Sequence, residues 1–338
     1  MKAVIMAGGE GKRLKSVTGE LPKPMVPLLG RPMMEHILLL LKEHGVTEIC
    51  AAVKYRHEDI SSYFGDGSRF GVNLQYRVEN KALGTAGGVK NCGDFYGDED
   101  VLVISGDAAC DFDLGALIRA HKDGGAAVTI ALYKHPEPLS YGLTVTDIEG
   151  RVRAFIEKPD WPRVVTDLVN TGIYVLSPRA MALVPEGQPF DFARDLFPEL
   201  LSRGERLTGL AMEGYWCDVG TPLSYYKCCV DALEGRLRLD IPESFRPAAP
   251  KEGPEPDEEG LDCPCKDRAG LMGTLAELMM DMGADYSDGI RLHGKDYEMH
   301  ISPSAVRSAI RIAVDSRDAE FAKELALSAK DLVQALDM

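Results

Sequence analysis

The chain has 338 residues, of which 45% are hydrophobic, and a formal net charge of −15. This length allows one large domain or two smaller ones, and no apolar run approaches the ~20 residues that a membrane span needs. The acidic balance argues against nucleic acid or an anionic membrane surface as a partner. The first residues lack a signal-peptide pattern, and the eight cysteines lack paired zinc spacing. We therefore expect a cytoplasmic protein with reduced thiols.

A glycine-rich segment near the start of the chain carries the clearest chemical signal. An apolar run typical of a buried strand is followed by Ala7-Gly8-Gly9-Glu10-Gly11-Lys12-Arg13-Leu14. Glycines let the backbone approach a ligand closely, and N–H groups ahead of a helix start bind anions. Lys12, Arg13 and the lysine of Pro22-Lys23-Pro24 add positive charge. The segment predicts a polyphosphate site, and a structural turn with solvated charges is the simpler alternative.

Two common nucleotide motifs do not fit this segment. The dinucleotide fingerprint needs a glycine where Leu14 stands, and an acidic residue at the end of the second strand, which 49–54 does not offer. The Walker pattern needs Ser or Thr after Gly-Lys, where this chain has Arg13. The segment therefore predicts a different kind of phosphate site.

The next hundred residues alternate between helical and strand patterns. Apolar residues recur at helical spacing over 33–44, an apolar strand follows at 49–53, and a further helix and strand are predicted at 57–64 and 73–77. This alternation to about residue 115 predicts an open, Rossmann-like mixed sheet, mostly parallel, with helices on both faces. Its most apolar strand, 101–107, ends at Asp107, at the sheet edge where ligands of such folds bind.

Four later segments add further polar candidates. Glu79 precedes the run Leu83-Gly84-Thr85-Ala86-Gly87-Gly88, which we expect to lie before a helix. A hairpin is predicted from Tyr141-Gly142-Leu143 through the turn Asp147-Ile148-Glu149-Gly150, and its second strand ends in Glu157-Lys158-Pro159. A strand follows at Asn170-Thr171-Gly172-Ile173-Tyr174-Val175-Leu176, and Asp218 lies in Trp216-Cys217-Asp218-Val219-Gly220. Alone, each of these segments is also compatible with an ordinary turn or a solvated charge.

Together these segments resemble the sugar-nucleotide pyrophosphorylases, which join a sugar 1-phosphate to a nucleotide. The signature of that family, Gly-Gly-x-Gly-(Thr)-Arg-Leu and then Pro-Lys-Pro, matches Gly8 to Leu14 and Pro22 to Pro24, with Lys12 where threonine is usual. Five motifs in the family's order cover about 1–233. The resemblance is closest to the bacterial mannose-1-phosphate guanylyltransferases of the type fused to a phosphohexomutase. Glucose with UTP or dTTP, and a non-catalytic sugar-nucleotide sensor, are the alternatives.

The resemblance implies a role for each matched residue. The nucleotide would be bound by Ala7, Gly8, Gly9, Gly11, Lys12, Arg13, Glu79, Gly84 and Thr85. The sugar 1-phosphate would be bound by Gly142, Glu157, Lys158, Asn170 and Thr171. Asp107 and Asp218 would hold Mg²⁺ as cofactor. Arg13, Lys23 and Asp107 would be the catalytic residues, with Arg13 at the leaving pyrophosphate and Lys23 near the α-phosphate.

The last hundred residues differ in composition from the part that carries the motifs. The nucleotidyltransferase domain is predicted over 1–238, an acidic, proline-rich linker over 239–262, and a small α+β domain over 263–338. This tail resembles the last domain of α-D-phosphohexomutases. Their phosphate loop, Arg-Pro-Ser-Gly-Thr-Glu-Pro, here reads Ser302-Pro303-Ser304-Ala305-Val306-Arg307-Ser308 and lacks the glycine and the acidic residue. We expect a non-catalytic domain that serves regulation or homo-oligomer assembly.

Overall fold

The computed structural model describes residues 1–157, 160, 162, 164–240, 260–279, 284–286, 289–304, 309–316 and 318–337. The chain forms two compact units. The first contains 1–11 and 21–218, and the second contains 12–20 and 219–338. No helix in the described ranges is long and apolar enough to cross a membrane.

The first unit is built on a nine-stranded sheet. The strands of this unit are β1 (Lys2–Ala7), β2 (Pro27–Leu28), β3 (Arg31–Pro32), β4 (Glu48–Val53), β5 (Asn73–Val78), β6 (Val101–Ser105), β7 (Ala108–Cys110), β8 (Val128–Lys134), β9 (Gly142–Thr146), β10 (Val152–Glu157), β11 (Leu168–Leu176), β12 (Leu207–Ala211) and β13 (Trp216–Asp218). The main sheet has the order β10-β9-β11-β6-β1-β4-β5, and β8 joins β11 to β12. The pairs β6-β1, β1-β4 and β4-β5 are parallel, whereas β11 pairs antiparallel with β6.

Helices cover both faces of this sheet. The helices of the first unit are α2 (Met33–Glu43), α3 (His57–Phe64), α4 (Gly84–Lys90), α5 (Gly93–Tyr96), α6 (Leu114–Gly124), α7 (Pro178–Met181) and α8 (Phe197–Ser202), and α1 (Lys15–Thr18) belongs to the second unit. Alternate side chains of β1 enter different cores: Ile5 packs with Ile37 and Leu41 of α2, and Val4 packs with Val89 of α4. Since successive strand residues point to opposite faces, a strand buried on both faces is apolar throughout. The predicted open, mostly parallel sheet with helices on both faces is confirmed.

Most predicted elements lie within two residues of their observed ends, but the second glycine-rich segment does not precede its helix. Gly84 is the first residue of α4, so the run 84–88 is helical. Gly84 has φ of +70°, and a Cβ atom there would lie 2.7 Å from the carbonyl oxygen of Phe190. Glycine is therefore needed at this position both for the backbone conformation and for the close passage of the segment that contains Phe190.

The second unit contains an antiparallel four-stranded sheet in the order β14-β17-β16-β15. Its strands are β14 (Gly260–Pro264), β15 (Ile290–His293), β16 (Tyr297–Pro303) and β17 (Ala309–Ser316), and its longer helices are α9 (Pro222–Leu233), α10 (Arg268–Leu278) and α11 (Ala319–Leu336). Alternating apolar residues of these strands pack against α10 and α11 in one core. The predicted small α+β fold is confirmed.

The unit boundaries differ from those predicted. Strand β14 begins within the segment assigned to the linker, which otherwise lies outside the described residues except for 239 and 240. Helix α9 belongs to the second unit, where Gly273 of α10 lies against Leu223 of α9. Because α9 covers one side of α10 and the sheet core covers the other, α10 is buried on most sides rather than along a single face.

The sequence predicts that α11 buries a face with Phe321, Leu325, Leu332, Val333 and Leu336, and the structure shows this only in part, since Val333 is buried and Leu325 and Leu336 are partly buried against the core. Its buried residues are Ala326, Ala329 and Val333, while Phe321 and Leu332 are 41% and 37% exposed. At Ala326 and Ala329 the small side chains let the helix lie close to the sheet.

Candidate functional site

The glycine loop packs directly against Lys23. The backbone N–H of Lys23 donates to the carbonyl oxygen of Gly9 over 3.3 Å. A Cβ atom on Gly11, where φ is +70°, would lie 3.2 Å from the Cβ of Lys23. The glycines therefore hold the lysine backbone in place, while Gly8 lies beside Lys54 and Ala7 ends β1 in the core.

The ammonium group of Lys23 lies between two carboxylates. Lys23 Nζ is 2.8 Å from Asp107 Oδ2 and 2.9 Å from Asp218 Oδ1. Asp107 follows β6, and its other oxygen accepts a 2.5 Å hydrogen bond from Ser105 Oγ. Asp218 ends β13, which pairs with β7 so that Asp218 lies opposite Ala108. The short β7-β13 ribbon thus brings together two carboxylates that lie far apart in the sequence.

The charge of Lys23 is stabilised by its two partners. Burial alone would lower the pKa of Lys23, but the charges of Asp107 and Asp218 and their hydrogen bonds raise it above its usual value. The lysine side chain is 12% exposed, and an uncompensated charge at such depth would be costly. Lys23 is therefore an ammonium ion in this arrangement.

These carboxylates fit the oxygen-ligand chemistry of Mg²⁺. One cation, the ammonium group of Lys23, already contacts both, so Asp107 and Asp218 converge on a common point. In the described ranges no group of three or more His, Cys, Asp or Glu residues forms a complete metal cage. Mg²⁺ is commonly held by one or two carboxylates together with substrate phosphates, and this pair meets that requirement.

A cavity of about 340 Å³ opens beside this charge cluster. Its wall includes Gly142, Glu157, Asn170 and Thr171, together with Lys23 and both aspartates. Four of the five residues predicted to bind the sugar phosphate therefore line one cavity, and the fifth, Lys158, lies outside the described residues. A larger cavity of about 690 Å³ contains none of the predicted residues.

The polar groups of this cavity are held in defined orientations. Asn170 Oδ1 accepts hydrogen bonds from the N–H of Gly172 (3.1 Å) and from the hydroxyl of Tyr174 (2.9 Å). Because the amide oxygen is used in this way, its NH₂ group is the part that can donate to a ligand. Thr171 donates its hydroxyl to the carbonyl of Ala131 over 2.7 Å, so its hydroxyl proton is engaged within the fold.

The predicted nucleotide residues of α4 are tied to a distant segment. The hydroxyl of Thr85 donates to Asp191 Oδ1 over 3.0 Å and accepts from the N–H of Phe192 over 3.0 Å. The N–H of Gly87 donates to the carbonyl of Phe190 over 2.9 Å. Glu79 is half-buried and accepts weakly from the N–H of Leu83, and burial raises its pKa. The hydroxyl of Thr85 is thus engaged within the protein.

Lys12 and Arg13 belong to the second compact unit, whereas the other predicted site residues among those described belong to the first. Both side chains are exposed and lie in a short 3₁₀ helix, Lys12–Leu14, which belongs to the second unit. Their predicted contacts with phosphate stay predictions.

Sequence reasoning missed several residues of the site. Ser105 orients Asp107, and Tyr141 and Trp216 line the cavity with their ring centroids 5.3 Å apart. His135 packs on Tyr141, with centroids 4.6 Å apart. The only available signal for Ser105 was its position at the carboxyl end of the central strand, and no short motif connects the aromatic residues.

An open α/β sheet with a charged cluster at its carboxyl edge is typical of nucleotide-binding folds. The family model described as nucleotidyl transferase matches residues 2–235, and the chain belongs to this family. The resemblance to the sugar-nucleotide pyrophosphorylases is confirmed by this match and by the curated relatives.

Curated relatives carry two kinds of name. A UTP–glucose-1-phosphate uridylyltransferase of Synechocystis is 39% identical over 254 residues, which are 71% of this chain and 64% of the relative. A mannose-1-phosphate guanylyltransferase of Mycobacterium tuberculosis is 34% identical over 69% of this chain and 65% of its own length. The mannose-1-phosphate guanyltransferase of Schizosaccharomyces pombe is 35% identical over 74% and 69%. The chain thus spans slightly less than two thirds of the first two relatives.

Solved structures share the fold. A putative glucose-1-phosphate thymidylyltransferase from Bacillus anthracis, in complex with a sucrose, superposes with a TM-score of 0.64 at 27% identity, covering 72% of this chain and 98% of that one. HddC from Yersinia pseudotuberculosis, complexed with GMP-PN, superposes with a TM-score of 0.60 at 29% identity and covers 68% and 99%.

Proposed function

We propose that this protein transfers a nucleotidyl group from an NTP to a sugar 1-phosphate, giving an NDP-sugar and pyrophosphate. The observation that carries the proposal is the cluster of Lys23, Asp107 and Asp218 at the wall of a cavity that also presents Glu157 and Asn170. A cation and paired carboxylates suit the phosphates and the metal ion of an NTP, and the polar side chains of Glu157 and Asn170 suit a sugar.

The reaction needs no protein nucleophile. A phosphate oxygen of the sugar 1-phosphate forms a bond to the α-phosphorus of the NTP, and the bond from that phosphorus to the bridging oxygen of the β-phosphate breaks. The bridging oxygen and its electron pair leave as pyrophosphate, so atoms and charge balance. The protein therefore acts by positioning and by compensating charge.

Each proposed role follows from the chemistry of the side chain. Asp107 and Asp218 would hold Mg²⁺, which when bound supplies positive charge at the reacting phosphate. Lys23 would contact the α-phosphate, and Arg13 would hold the pyrophosphate through its planar fork. Asn170 would donate to a sugar hydroxyl and Glu157 would accept from one, while Lys158 would hold the sugar phosphate. Backbone N–H groups of the glycine loop would contact the nucleotide phosphates.

Mannose 1-phosphate with GTP is the proposed substrate pair. It is supported by the resemblance of the motifs and by the names of the relatives from M. tuberculosis and S. pombe. Glucose 1-phosphate with UTP is the second candidate, because the relative from Synechocystis carries that name at 39% identity.

We propose that the tail over 263–338 serves assembly or regulation and carries no catalytic group. Its strands and helices keep a common apolar core, while the loop that resembles the mutase phosphate loop lacks its glycine and acidic residue. A homo-oligomer of the full chain is expected, and light scattering on the intact protein would test it.

A matrix of sugar 1-phosphates and NTPs, with Mg²⁺ present and released pyrophosphate as the readout, tests the function. We expect the highest kcat/KM for mannose 1-phosphate with GTP. A higher value for glucose 1-phosphate with UTP or dTTP would overturn the substrate pair but support the reaction. Binding of NDP-sugar without release of pyrophosphate from any pair would favour the sugar-nucleotide sensor.

The matrix needs a matched carboxylate control. Asp218→Asn should lose activity with every pair, because it removes one of the two converging charges. Asp123→Asn removes an equal charge from the exposed side of α6 and should behave as the wild type.

A further inference from the structure

The cation that neutralises Asp107 and Asp218 in this structure is part of the chain itself. Lys23 Nζ contacts both carboxylates within 3 Å, and its side chain is largely buried, as is that of Asp107 at 23% exposure. Two carboxylates that converge on one point repel each other without a positive partner, although the side chain of Asp218 is 35% exposed. Lys23 therefore stabilises the pair when no other cation is bound to it.

A divalent cation on these carboxylates and the ammonium of Lys23 require the same place. Mg²⁺ held by both carboxylates would compete with Nζ for the oxygen atoms that Nζ contacts, Asp107 Oδ2 and Asp218 Oδ1. Two positive charges beside the same oxygen atoms repel each other, and the carboxylate oxygens facing Nζ would have to turn from one cation to the other.

The side chain of Lys23 can make room, whereas its backbone cannot. Its backbone is fixed by the hydrogen bond to Gly9 and by close packing against Gly11. The four-carbon stem beyond Cβ is flexible, and its ammonium is a compact charge that can change partners. The stem starts beside the glycine loop, so a released ammonium remains within reach of a phosphate held by that loop.

We infer that Lys23 is a built-in counter-ion of Asp107 and Asp218, which a divalent cation displaces, and that this displacement frees its ammonium for the substrate phosphate. Lys23 thus has two successive partners, the carboxylates first and the phosphate afterwards. The inference rests on the metal role of the two aspartates within the proposed function, and it is independent of which nucleotide and sugar are used.

Binding of Mn²⁺ to the full chain without substrates tests this inference directly. The free ion is measured by electron paramagnetic resonance for the wild type, Lys23→Met and Lys54→Met. Methionine keeps the unbranched stem but removes the charge, and Lys54 is an exposed lysine beside the same loop at Gly8. A hydrogen bond to a charged group is worth roughly a factor of ten in an equilibrium constant. We expect Lys23→Met to bind Mn²⁺ about tenfold more tightly than the wild type, and Lys54→Met to equal the wild type.

Equal or weaker binding of Mn²⁺ by Lys23→Met would overturn the inference, as would an equal gain in Lys54→Met. Thermal unfolding gives a second readout: without divalent ions Lys23→Met should unfold at a lower temperature than the wild type, and Mn²⁺ should raise its Tm by more. If the variant does not fold, wild-type crystals soaked in Mn²⁺ without nucleotide decide the question. An anomalous peak between Asp107 and Asp218 with Nζ withdrawn from them supports the displacement, and a peak with Nζ still bridging both contradicts it.

The proposed reaction and this inference fail in different experiments. If the wild type releases pyrophosphate but Lys23→Met binds Mn²⁺ as tightly as the wild type does, the reaction is supported and the displacement is contradicted. Tighter binding of Mn²⁺ in Lys23→Met, without turnover of any substrate pair, would have the opposite meaning.

Discussion

Gly142 lies directly opposite Glu157 in the β9-β10 hairpin, and a Cβ atom on Gly142 would lie 2.9 Å from Glu157 Oε2. The missing side chain leaves room for the carboxylate to lie over the neighbouring strand. The position of Glu157 at the cavity wall therefore depends on a glycine in a different motif.

Gly142→Ala should move the Glu157 carboxylate and weaken binding of the sugar phosphate. We expect KM for sugar 1-phosphate to rise roughly tenfold, because a small misplacement of a positioning group is costly, while KM for NTP changes little. Gly124→Ala is the control, since a Cβ atom there meets nothing within 4 Å. Steady-state kinetics with each substrate varied would check this, and an unchanged KM for the sugar phosphate would count against the role of Glu157.

Asp107→Ala should lower kcat by a factor on the order of 10² or more while the protein stays folded. The carboxylate contacts Lys23 and Ser105 and lies beyond the apolar part of β6, so its loss removes charge rather than core packing. Single-turnover kinetics, with circular dichroism as the folding check, would measure this. Asp123→Ala on exposed α6 is the matched control, and activity of Asp107→Ala within a few-fold of the wild type would exclude the metal role.

Lys23→Ala should lower kcat more than it raises KM for NTP. A cation at the α-phosphate stabilises charge that develops in the transition state more than charge in the bound substrate. Initial rates over a range of NTP concentrations separate the two effects. Weak NTP binding with unchanged kcat would instead assign Lys23 to ground-state binding.

Lys12→Thr, which restores the residue usual in the family, should retain activity in the same assay.

The buried side chain of His121 should lower the free energy of unfolding in mild acid relative to neutral pH. It is 3% exposed, its Nδ1 lies 2.9 Å from Thr129 Oγ1, and burial lowers its pKa despite the opposing charge of Asp100. Below the unfolded value of about 6.5 the unfolded chain binds the proton more readily. Stability is therefore lost as the pH falls through that value toward the lower folded pKa.

Urea unfolding near pH 7 and at about pH 5 measures the loss of unfolding free energy between the two conditions, for the wild type and for His121→Gln. Because glutamine does not titrate, the variant should lose less stability between the two conditions. Equal losses in the two proteins would show that His121 does not contribute.

Gly273→Val should destabilise the second unit by about 1–3 kcal/mol. A Cβ atom on Gly273 would collide with the side chain of Leu223 and lie 2.9 Å from its Cα, so valine must separate α10 from α9. Calorimetry, with hydrogen exchange of the amides in α9 and α10, would detect the change. Glu277→Ala, on the exposed side of α10, should leave both measurements unaltered, and a Gly273→Val protein as stable as this control would show that the helices can separate freely.

Much of the first unit was predictable because its signals are local. A strand buried on both faces is apolar throughout, and the glycines, prolines and turn residues between the elements mark their ends. The hairpin of Gly142 and Glu157 was found in this way.

The relationships that sequence reasoning missed are contacts between distant segments. Lys23 and Asp218 are separated by 195 positions; the β7-β13 ribbon places Asp218 beside Asp107, and the glycine loop holds the backbone of Lys23. The hydroxyl of Thr85 is engaged by Asp191, which no motif of the sequence connects to it. The close contact of Gly273 with Leu223, which buries α10 on a second side, likewise has no local signal.

The glycines of α4 have a consequence for how such chains lose activity over evolutionary time. Gly84 and Gly87 admit the backbone around Phe190, with hydrogen bonds from Gly87 to Phe190 and from Phe190 to Leu83. Selection for a stable fold alone would therefore preserve them in a descendant that no longer turns over substrate. The cluster of Lys23, Asp107 and Asp218 has no such protection, since its residues could drift together to uncharged ones once catalysis ceases to matter. Inactive homologues should therefore keep the glycines of α4 longer than the charged residues of the cluster. The presence of Lys23, Asp107 and Asp218, rather than of the glycines, would then indicate an active homologue.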